Sequence, residues 1–378
     1  MILSYKYRIE PNRTQAAALG DMLADFCQLY NAALEHRIGA HEKGVRITCN
    51  QQITALPRIR RELPHIGRWS ATAEQQVMRK LDKAFRAFFA RIISGAKPGF
   101  PRLRARARYH AADFRVGDGL TIRPTGKIGI LGIPGQIKVR WHREVPSDPA
   151  TGILTRQNGK WYVVFHVEVA TVERSGPDSV GIDLGLTALL ALSNGEVIER
   201  PRWTNRAAKG LRKRQRALAS CKRGSQRRAK RKAALAKYLA KYQGHVANKR
   251  RDHLHKLSRN LVDRFGRIAM EDLNIKGLAG GMLAKHVHDA SWAMLAAMLA
   301  YKASSAGCEL VKVDPRGTSQ ECPQCGQIAA KTLADRRHRC DCGADLDRDV
   351  AAAMVVHQRA FGCRPGAGPG ALSVRVAA

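Results

Sequence analysis

The sequence predicts a multidomain chain, α+β in its first half and α/β in its second. Three observations predict it. A half-buried strand at the N-terminus and a strand-rich stretch over residues 111–172 bracket a purely helical region. From Ser179 onward, short strands alternate with helices in the manner of an α/β domain. The 378 residues are 44% hydrophobic, enough for cores in two or three such domains.

The first strand is read from its alternation. Leu3, Tyr5, Tyr7 and Ile9 share one face, and Ser4, Lys6, Arg8 and Glu10 the other. Pro11 and Asn12 break the pattern. A helix is expected over about 14–37, with Leu19, Met22, Leu23, Phe26, Tyr30, Ala33 and Leu34 at the 3–4 spacing of a buried face. A second helix is expected over about 71–93, burying Val77, Met78, Leu81, Ala84, Phe85, Phe88, Phe89, Ile92 and Ile93. The basic run KPGFPRLRARARY (97–109), broken by Pro and Gly, closes this region. Strands are expected over 120–123, 127–131, 137–141, 153–157 and 161–169, the last two joined by the hairpin dipeptide Asn158-Gly159. Short strands without helices between them suggest a small barrel or sandwich. The N-terminal strand is expected to belong to it, with the helices inserted.

The second half opens with SVGIDLGLTALLALSNGEVIE, read as three short strands with a turn at Asn194-Gly195. Residues 201–260 then hold 21 lysines and arginines and one acid, Asp252. Leu and Ala recur there at helical spacing, so a helical hairpin with one basic face is expected, with Gly224 and Gly244 as breaks. A strand over 267–271, a helix near 291–305, a strand over 309–314 and a last helix near 349–360 follow. The Gly/Pro/Ala-rich tail reads as disordered.

Charge narrows the function. Lys and Arg number 66 against 31 Asp and Glu, a net charge of +35 spread along the chain and a pI near 10.6, which calls for a polyanion. No run approaches the ~18 apolar residues of a membrane span, and the first residues lack the features of a signal peptide. The nine cysteines are therefore read in a reducing, cytoplasmic setting as thiols or metal ligands. The sequence contains no GxxxxGK[ST], GxSxG or HExxH.

Three constellations carry chemistry. Cys322-Pro-Gln-Cys325 and Cys340-Asp-Cys342 form two thiolate knuckles suited to one tetrahedral, structural Zn²⁺. Gly326 and Gly343 after them let the loop turn its amides toward sulfur, and His338 is a possible substitute ligand. The second set is acidic, in an acid-poor chain. Asp183 and Glu271 end apolar strands, and Asp345, Asp347 and Asp349 precede the last helix. Each alone could cap an element or pair with an arginine; converging, they would repel one another unless Mg²⁺ or Mn²⁺ lay between them. Such a pair of ions suits phosphodiester cleavage. The third is the basic hairpin, including Lys213, Arg214, Arg227 and Arg228, read as a phosphate-contacting surface that holds a duplex or structured RNA by shape.

Together these residues resemble the TnpB family of transposon-encoded RNA-guided nucleases, relatives of type V CRISPR effectors. The matching runs are GIDLGLTALLAL (181–192), AMEDLNIKGL (269–278), GTSQECPQCG (317–326) and CDCGADLDRDVAAAMVV (340–356), with weaker similarity in LYNAALEHR (29–37) and KAFRAFF (83–89). The resemblance implies a wedge-like β-barrel over 1–10 and 103–172, interrupted by a helical recognition lobe over 11–102. It implies a RuvC-like nuclease domain of RNase H fold over 173–361, holding the basic hairpin 201–260 and a zinc ribbon over 316–345, before a disordered tail at 362–378. It further implies a guide RNA from the transposon end, double-stranded target DNA cut beside a short flanking motif, and a monomer with one RNA.

Carried over by residue, Asp183, Glu271 and Asp349 would be catalytic and hold Mg²⁺ (or Mn²⁺), with Asp347 the alternative to Asp349. Arg348 would neutralise a phosphate. Gln75 and Gln76 are assigned to the flanking motif, because Gln can pair bidentately with adenine; Tyr30 and Asn31 are further candidates to lie near it, Tyr30 reading as core. Two departures from the family stand out. Ala351 replaces a customary Asn, and the second knuckle is CxC rather than CxxC. The rival reading is a nuclease-inactive or weak RNA-guided DNA-binding repressor, but such members typically lose an acidic ligand. A ribosomal-type zinc-ribbon RNA binder would leave the strand-end acids without a purpose, and a DNA-moving transposase fits the family less well than an accessory nuclease.

Overall fold

The computed structural model describes residues 1–170, 178–201, 203, 205–278, 280–281, 284–332 and 335–362. The expected boundary at 172–173 lies outside them, as does the tail beyond Gly362. The chain divides into two compact units, 1–169 and 170–378.

In the first unit, β1 (Ile2–Glu10) is followed by α1 (Arg13–Glu42), α2 (Cys49–Glu62), α3 (Pro64–Gly67) and α4 (Ala71–Ile93). Then come β2 (Ala111–Val116), β3 (Gly119–Ile122), β4 (Lys127–Ile130), β5 (Ile137–Arg140), β6 (Thr151–Gln157) and β7 (Lys160–Glu168). The seven strands close a barrel in the order β1-β5-β4-β3-β2-β6-β7, so β1 pairs with both β5 and β7 while four helices are inserted after it. Helices and barrel share one core: Leu19, Met22, Phe26, Tyr30, Val77 and Leu81 pack with Phe114, Leu120, Leu154 and Phe165.

Local chemistry fixes the helix ends. Asn12 and Gln15 form a reciprocal capping box at α1. The Gln15 amide also donates to the carbonyls of Pro134 and Gln136, tying the helix start to the barrel. Tyr30 is buried, as expected, and Asn31 holds the backbone of Arg104 at both its N–H and its carbonyl. Asn31 thus anchors the basic 97–109 run.

The face expected along α4 is only half buried. Val77, Met78 and Leu81 are covered, but Phe89, Ile92 and Ile93 are 55%, 49% and 88% exposed. The partners of α4 in this unit, β2, α1 and α2, cover its first half; beyond Leu81, Phe85 and Phe88 turn edge-on to Phe100 instead.

In the second unit β8 (Ser179–Asp183), β9 (Ala188–Leu192) and β10 (Val197–Glu199) precede α5 (Asn205–Ala219) and α6 (Gln226–Arg264). Next are β11 (Arg267–Glu271), α7 (Ile275–Leu278), α8 (Ala284–Ala290), α9 (Trp292–Ala306) and β12 (Glu309–Val313). The small hairpin β13 (Arg337–Arg339) and β14 (Asp345–Asp347) leads into α10 (Arg348–Phe361). The main sheet has the order β10-β9-β8-β11-β12, antiparallel among the first three and parallel from β8 to β12. That is the RNase H-like arrangement the resemblance implies.

The basic hairpin forms, with one correction. Gly224 breaks it, at φ +82°, but Gly244 lies inside the 39-residue α6. A helical glycine costs only about 1 kcal/mol relative to Ala. The burial of Val246, Leu254, Leu257, Leu261 and Val262 beyond it outweighs that. The Lys302 ammonium of α9 donates to the His255 carbonyl and the Ser258 hydroxyl at 2.6 and 2.8 Å, locking α9 to α6.

A buried ion pair joins α2 to α4. Arg60 reaches Glu74 at 2.6 Å and also donates to the carbonyls of Gly67 and Trp69. Burial pushes the fully covered Glu74 carboxyl up, and Arg60 draws it partly back. Arg60→Ala leaves that carboxylate alone, at an expected cost of about 3 kcal/mol. Urea unfolding followed by the fluorescence of the adjacent Trp69 measures it; an unchanged midpoint would contradict this role.

Candidate active site and metal centre

Asp183 and Glu271 are the last residues of β8 and β11. The strands are parallel neighbours, with Met270 opposite Ile182, so both carboxylates leave the same end of the sheet. Asp349 comes from the first turn of α10, which packs across β8.

The contact between α10 and β8 is close. A Cβ built on Gly181 would stand 2.1 Å from the Ala353 carbonyl oxygen and 2.7 Å from the His357 nitrogen, so only glycine fits. One step before it, Ser179 Oγ meets His357 Nε2 at 2.7 Å. Two strand residues advance about 6.6 Å and four helix residues about 6 Å, so strand and helix stay in step. Ser179 lies against His357 and Gly181 between Ala353 and His357, so two further strand residues bring Asp183 toward the first turn of α10, where the charge of Asp349 acts on it. The loop after β8 also approaches: a Cβ on Gly185 would lie 3.7 Å from Asp349 Oδ2.

The electrostatics reflect this convergence. Burial pushes the Asp183 carboxyl well above its ordinary range, and the charges of Glu271 and Asp349 push it further, against the pull of Arg348. Glu271 is also raised by burial, partly offset by a hydrogen bond from the Thr318 hydroxyl at 2.6 Å and by Arg359. Asp347, whose charge also acts on Asp183, starts the helix as well. Its carboxylate caps α10, accepting from the backbone N–H groups of Asp349 and Val350 at 2.9 and 3.2 Å. Arg348 lies 3.5 Å from Asp349 and donates to the Thr332 carbonyl. Ala351 is buried within α10, whose N-terminus Asp347 already caps.

The four cysteines converge. Sγ atoms of Cys322, Cys325, Cys340 and Cys342 all lie within 4.8 Å of one another, with Cys322–Cys342 at 3.6 Å and Cys325–Cys340 at 3.5 Å. A tetrahedral Zn²⁺ at ~2.3 Å from each sulfur needs about 3.8 Å between them, so the donor set fits. The knuckle amides do point at sulfur. Burial would raise Cys322, but the N–H groups of Cys325 and Gln324, with His338, bring it to about 6. Gly326 and Gly343 take the positive φ that these turns need, +79° and +90°. The shorter CxC turn still closes, through Cys340 N–H to the Ala344 carbonyl and Gly343 N–H to the Cys340 carbonyl. His338 stands outside the sulfur cluster and is fully buried beside Lys331.

The four bases singled out on the hairpin have different surroundings. Lys213 and Arg227 are exposed. Arg214 stacks on Tyr238 at 3.9 Å, and Arg228 donates to the carbonyls of Leu218 and Cys221, closing the α5–α6 turn. Gln75 and Gln76 are half-buried on α4, in the first unit. Two residues at the acidic site escaped the sequence reading, Thr318 and Arg359. The TSQ of GTSQECPQCG was the available signal for the first.

Comparison with known proteins agrees with this architecture. Family models match at residues 292–356 ("Cas12f1-like, TNB domain"), 162–281 ("Probable transposase") and 1–46 ("Helix-turn-helix domain"). The last description does not suit the fold, since those residues form β1 and the single helix α1. A Streptomyces pristinaespiralis protein named "Putative RNA-guided DNA endonuclease" is 33% identical over 363 residues, covering 93% of this chain and 88% of that protein. InsQ of Escherichia coli K12, with the same description, is 28% identical over 288 residues, covering 70% and 68%. Among solved structures, Cas12f1 in complex with guide RNA and target DNA aligns with a TM-score of 0.56 at 14% identity, covering 90% of this chain and 82% of that one. The mini-RNA-guided endonuclease CRISPR-Cas_phi3 aligns at 0.50 and 9%, covering 94% and 91%. At these identities the likeness is one of fold.

The raised carboxyls have a consequence for stability. Between the ordinary carboxylate range and the raised values, Asp183 and Glu271 bind more protons in the metal-free fold than in the unfolded chain. Their contribution to stability is therefore fullest at acid pH, below the ordinary range, and is lost as pH rises through the raised values. Asp183→Asn removes one repelling charge. It is expected to raise the melting temperature of the metal-free protein near pH 7 and to flatten its pH profile, by calorimetry. A variant no more stable than wild type there would show that the carboxylates do not repel.

Proposed function

The chain belongs to the TnpB family, and on that footing we propose that it is an RNA-guided DNA endonuclease, cutting target DNA beside a short flanking motif by phosphodiester hydrolysis. What supports this reading is that Asp183 and Glu271 end neighbouring parallel strands of an RNase H-like sheet, and that the charges of Glu271 and Asp349 both act on Asp183.

In this reading the three acids are the catalytic residues and hold Mg²⁺ (or Mn²⁺). Their mutual repulsion, with burial, is what a hard cation with oxygen ligands relieves. When bound, such ions lower the pKa of water and stabilise the leaving oxygen. The chain's own residues do the rest. Asp183 comes from β8 and Asp349 from α10, which packs on it, and Glu271 accepts a hydrogen bond from the Thr318 hydroxyl. Asp347 fixes the start of α10 and so the place of Asp349. The cysteine cluster holds a structural Zn²⁺, its four thiolates leaving no open position for catalysis.

The polyanion is a guide RNA from the transposon end together with double-stranded target DNA, bound by one protein copy in the cytoplasm and, on DNA, at the nucleoid. Lys213 and Arg227 contact phosphate. Arg214 and Arg228 reach it while also shaping the hairpin, Arg348 sits beside the scissile phosphate, and Gln75 and Gln76 read the flanking motif. No described helix is long and apolar enough to cross a membrane. The repressor alternative is not favoured, because all three acids are present.

The test begins with the RNA that co-purifies with the protein from cells carrying its native flanking DNA. That RNA, reprogrammed against a plasmid library with randomised flanks, is expected to direct Mg²⁺-dependent cuts beside one motif, lost in Asp183→Ala with target binding retained. Absence of any discrete RNA would overturn the reading. For the phosphate contacts, Lys213→Ala and Arg227→Ala are each expected to lower the slope of log affinity against log salt by about 1. An unchanged slope in filter binding would remove them from the interface.

A further inference from the structure

Glu271 lies almost wholly inside the protein, 7% exposed, and the Thr318 hydroxyl is its one hydrogen-bond donor among the described residues. Thr318 is itself 4% exposed, and its oxygen stands 2.6 Å from Glu271 Oε1. The same hydroxyl is 3.0 Å from the Pro315 carbonyl, but it has one proton, and a carboxylate is the stronger acceptor.

Thr318 belongs to the ribbon, not to the sheet. It sits in a turn opened by Gly317, whose carbonyl accepts from the N–H groups of Gln320 and Glu321 at 2.9 and 3.0 Å. The next residue is Cys322, the first ligand of the sulfur cluster. From the other side, Arg359 of α10 donates to the carbonyls of Asp314 and Arg316 at 2.9 and 2.8 Å and pairs with Glu321 at 2.6 Å. Residues 314–322 are thereby fixed between the cysteine knuckle and the helix that carries Asp349.

We propose that Thr318 is a positioning residue that couples the two metal sites: the folded cysteine knuckle holds the Thr318 hydroxyl in place, and that hydroxyl holds Glu271 where a nuclease cation needs it. The proposal rests on the reading of Asp183, Glu271 and Asp349 as cation ligands. It makes the ribbon part of the nuclease site and not only an attachment to it. A merely structural Thr318 would satisfy a buried carboxylate and leave cation binding alone.

Mn²⁺ is the probe, titrated into the zinc-loaded full chain without RNA and followed by electron paramagnetic resonance, with Asp183→Ala defining binding elsewhere. Thr318→Val keeps the shape and removes the donor. It is expected to weaken the Asp183-dependent Mn²⁺ site about ten-fold, as loss of an outer-sphere partner does, and to raise the Mg²⁺ concentration at half-maximal cleavage of the RNA complex. Thr318→Ser is expected to restore both. Cys325→Ser, which opens the knuckle, is expected to weaken the same Mn²⁺ site, and the double variant with Thr318→Val to weaken it no further. Wild-type Mn²⁺ affinity in a folded Thr318→Val would overturn the proposal while leaving the nuclease reading intact. A wild-type chain without any Asp183-dependent Mn²⁺ site would overturn both.

Discussion

The second unit turns on one close contact, the backbone of α10 lying directly on β8. Gly181 permits it, because any side chain there would meet the Ala353 carbonyl. The run Ala351, Ala352, Ala353 keeps the helix face thin, and all three are buried. The hydrogen bond between Ser179 and His357 holds strand and helix together one step earlier. Strand and helix then advance at nearly equal steps, so the last strand residue, Asp183, reaches the first helical turn and Asp349. A looser contact would let the two acids separate.

That arrangement costs the fold something. Two strand-end carboxylates and a helix-start carboxylate come near one another at one corner; burial and the charges of Glu271 and Asp349 raise the proton affinity of Asp183, and burial raises that of Glu271. The apolar core beneath, from Val180, Ile182, Ile268 and Met270 to Leu254, Leu261, Leu295 and Leu299, holds the corner together. Charge elsewhere has the opposite sign. A chain of net charge +35 attracts a polyanion; in the proposed reading the acids repel it until cations intervene. Binding and cutting are thus separable by charge, and the corner is where the separation lies.

Much of this was legible in the sequence, for physical reasons. Apolar runs ending in one acid placed Asp183 and Glu271 at strand ends, because a carboxylate breaks an apolar run where the strand leaves the core. The span of α4 was readable from its periodicity, but not the loss of cover beyond Leu81, since periodicity reports an apolar face and not what lies against it. Gly244 looked like a break because local propensity favours one; the tertiary packing of the second half of α6 overrode it. Asp347 and Asp349 could not be separated by spacing alone. The junction of β14 and α10 shows one oxygen of Asp347 on the helix amides. Arg214 and Arg228 read as two more free cations, yet their guanidinium groups also serve the hairpin. Thr318 stood in the quoted run GTSQECPQCG, but its role could not be read there; its meaning comes from a carboxylate 47 residues earlier in the chain.

The central claim is that the β8, β11 and α10 packing places three acids around a cation. It is tested most directly by diffraction from crystals soaked in Mn²⁺, recorded at the manganese absorption edge. The account predicts an anomalous peak bounded by Asp183, Glu271 and Asp349, with Asp347 still on the N-terminus of α10. No peak at that corner, or a peak held by Asp347 with Asp349 turned away, would contradict it.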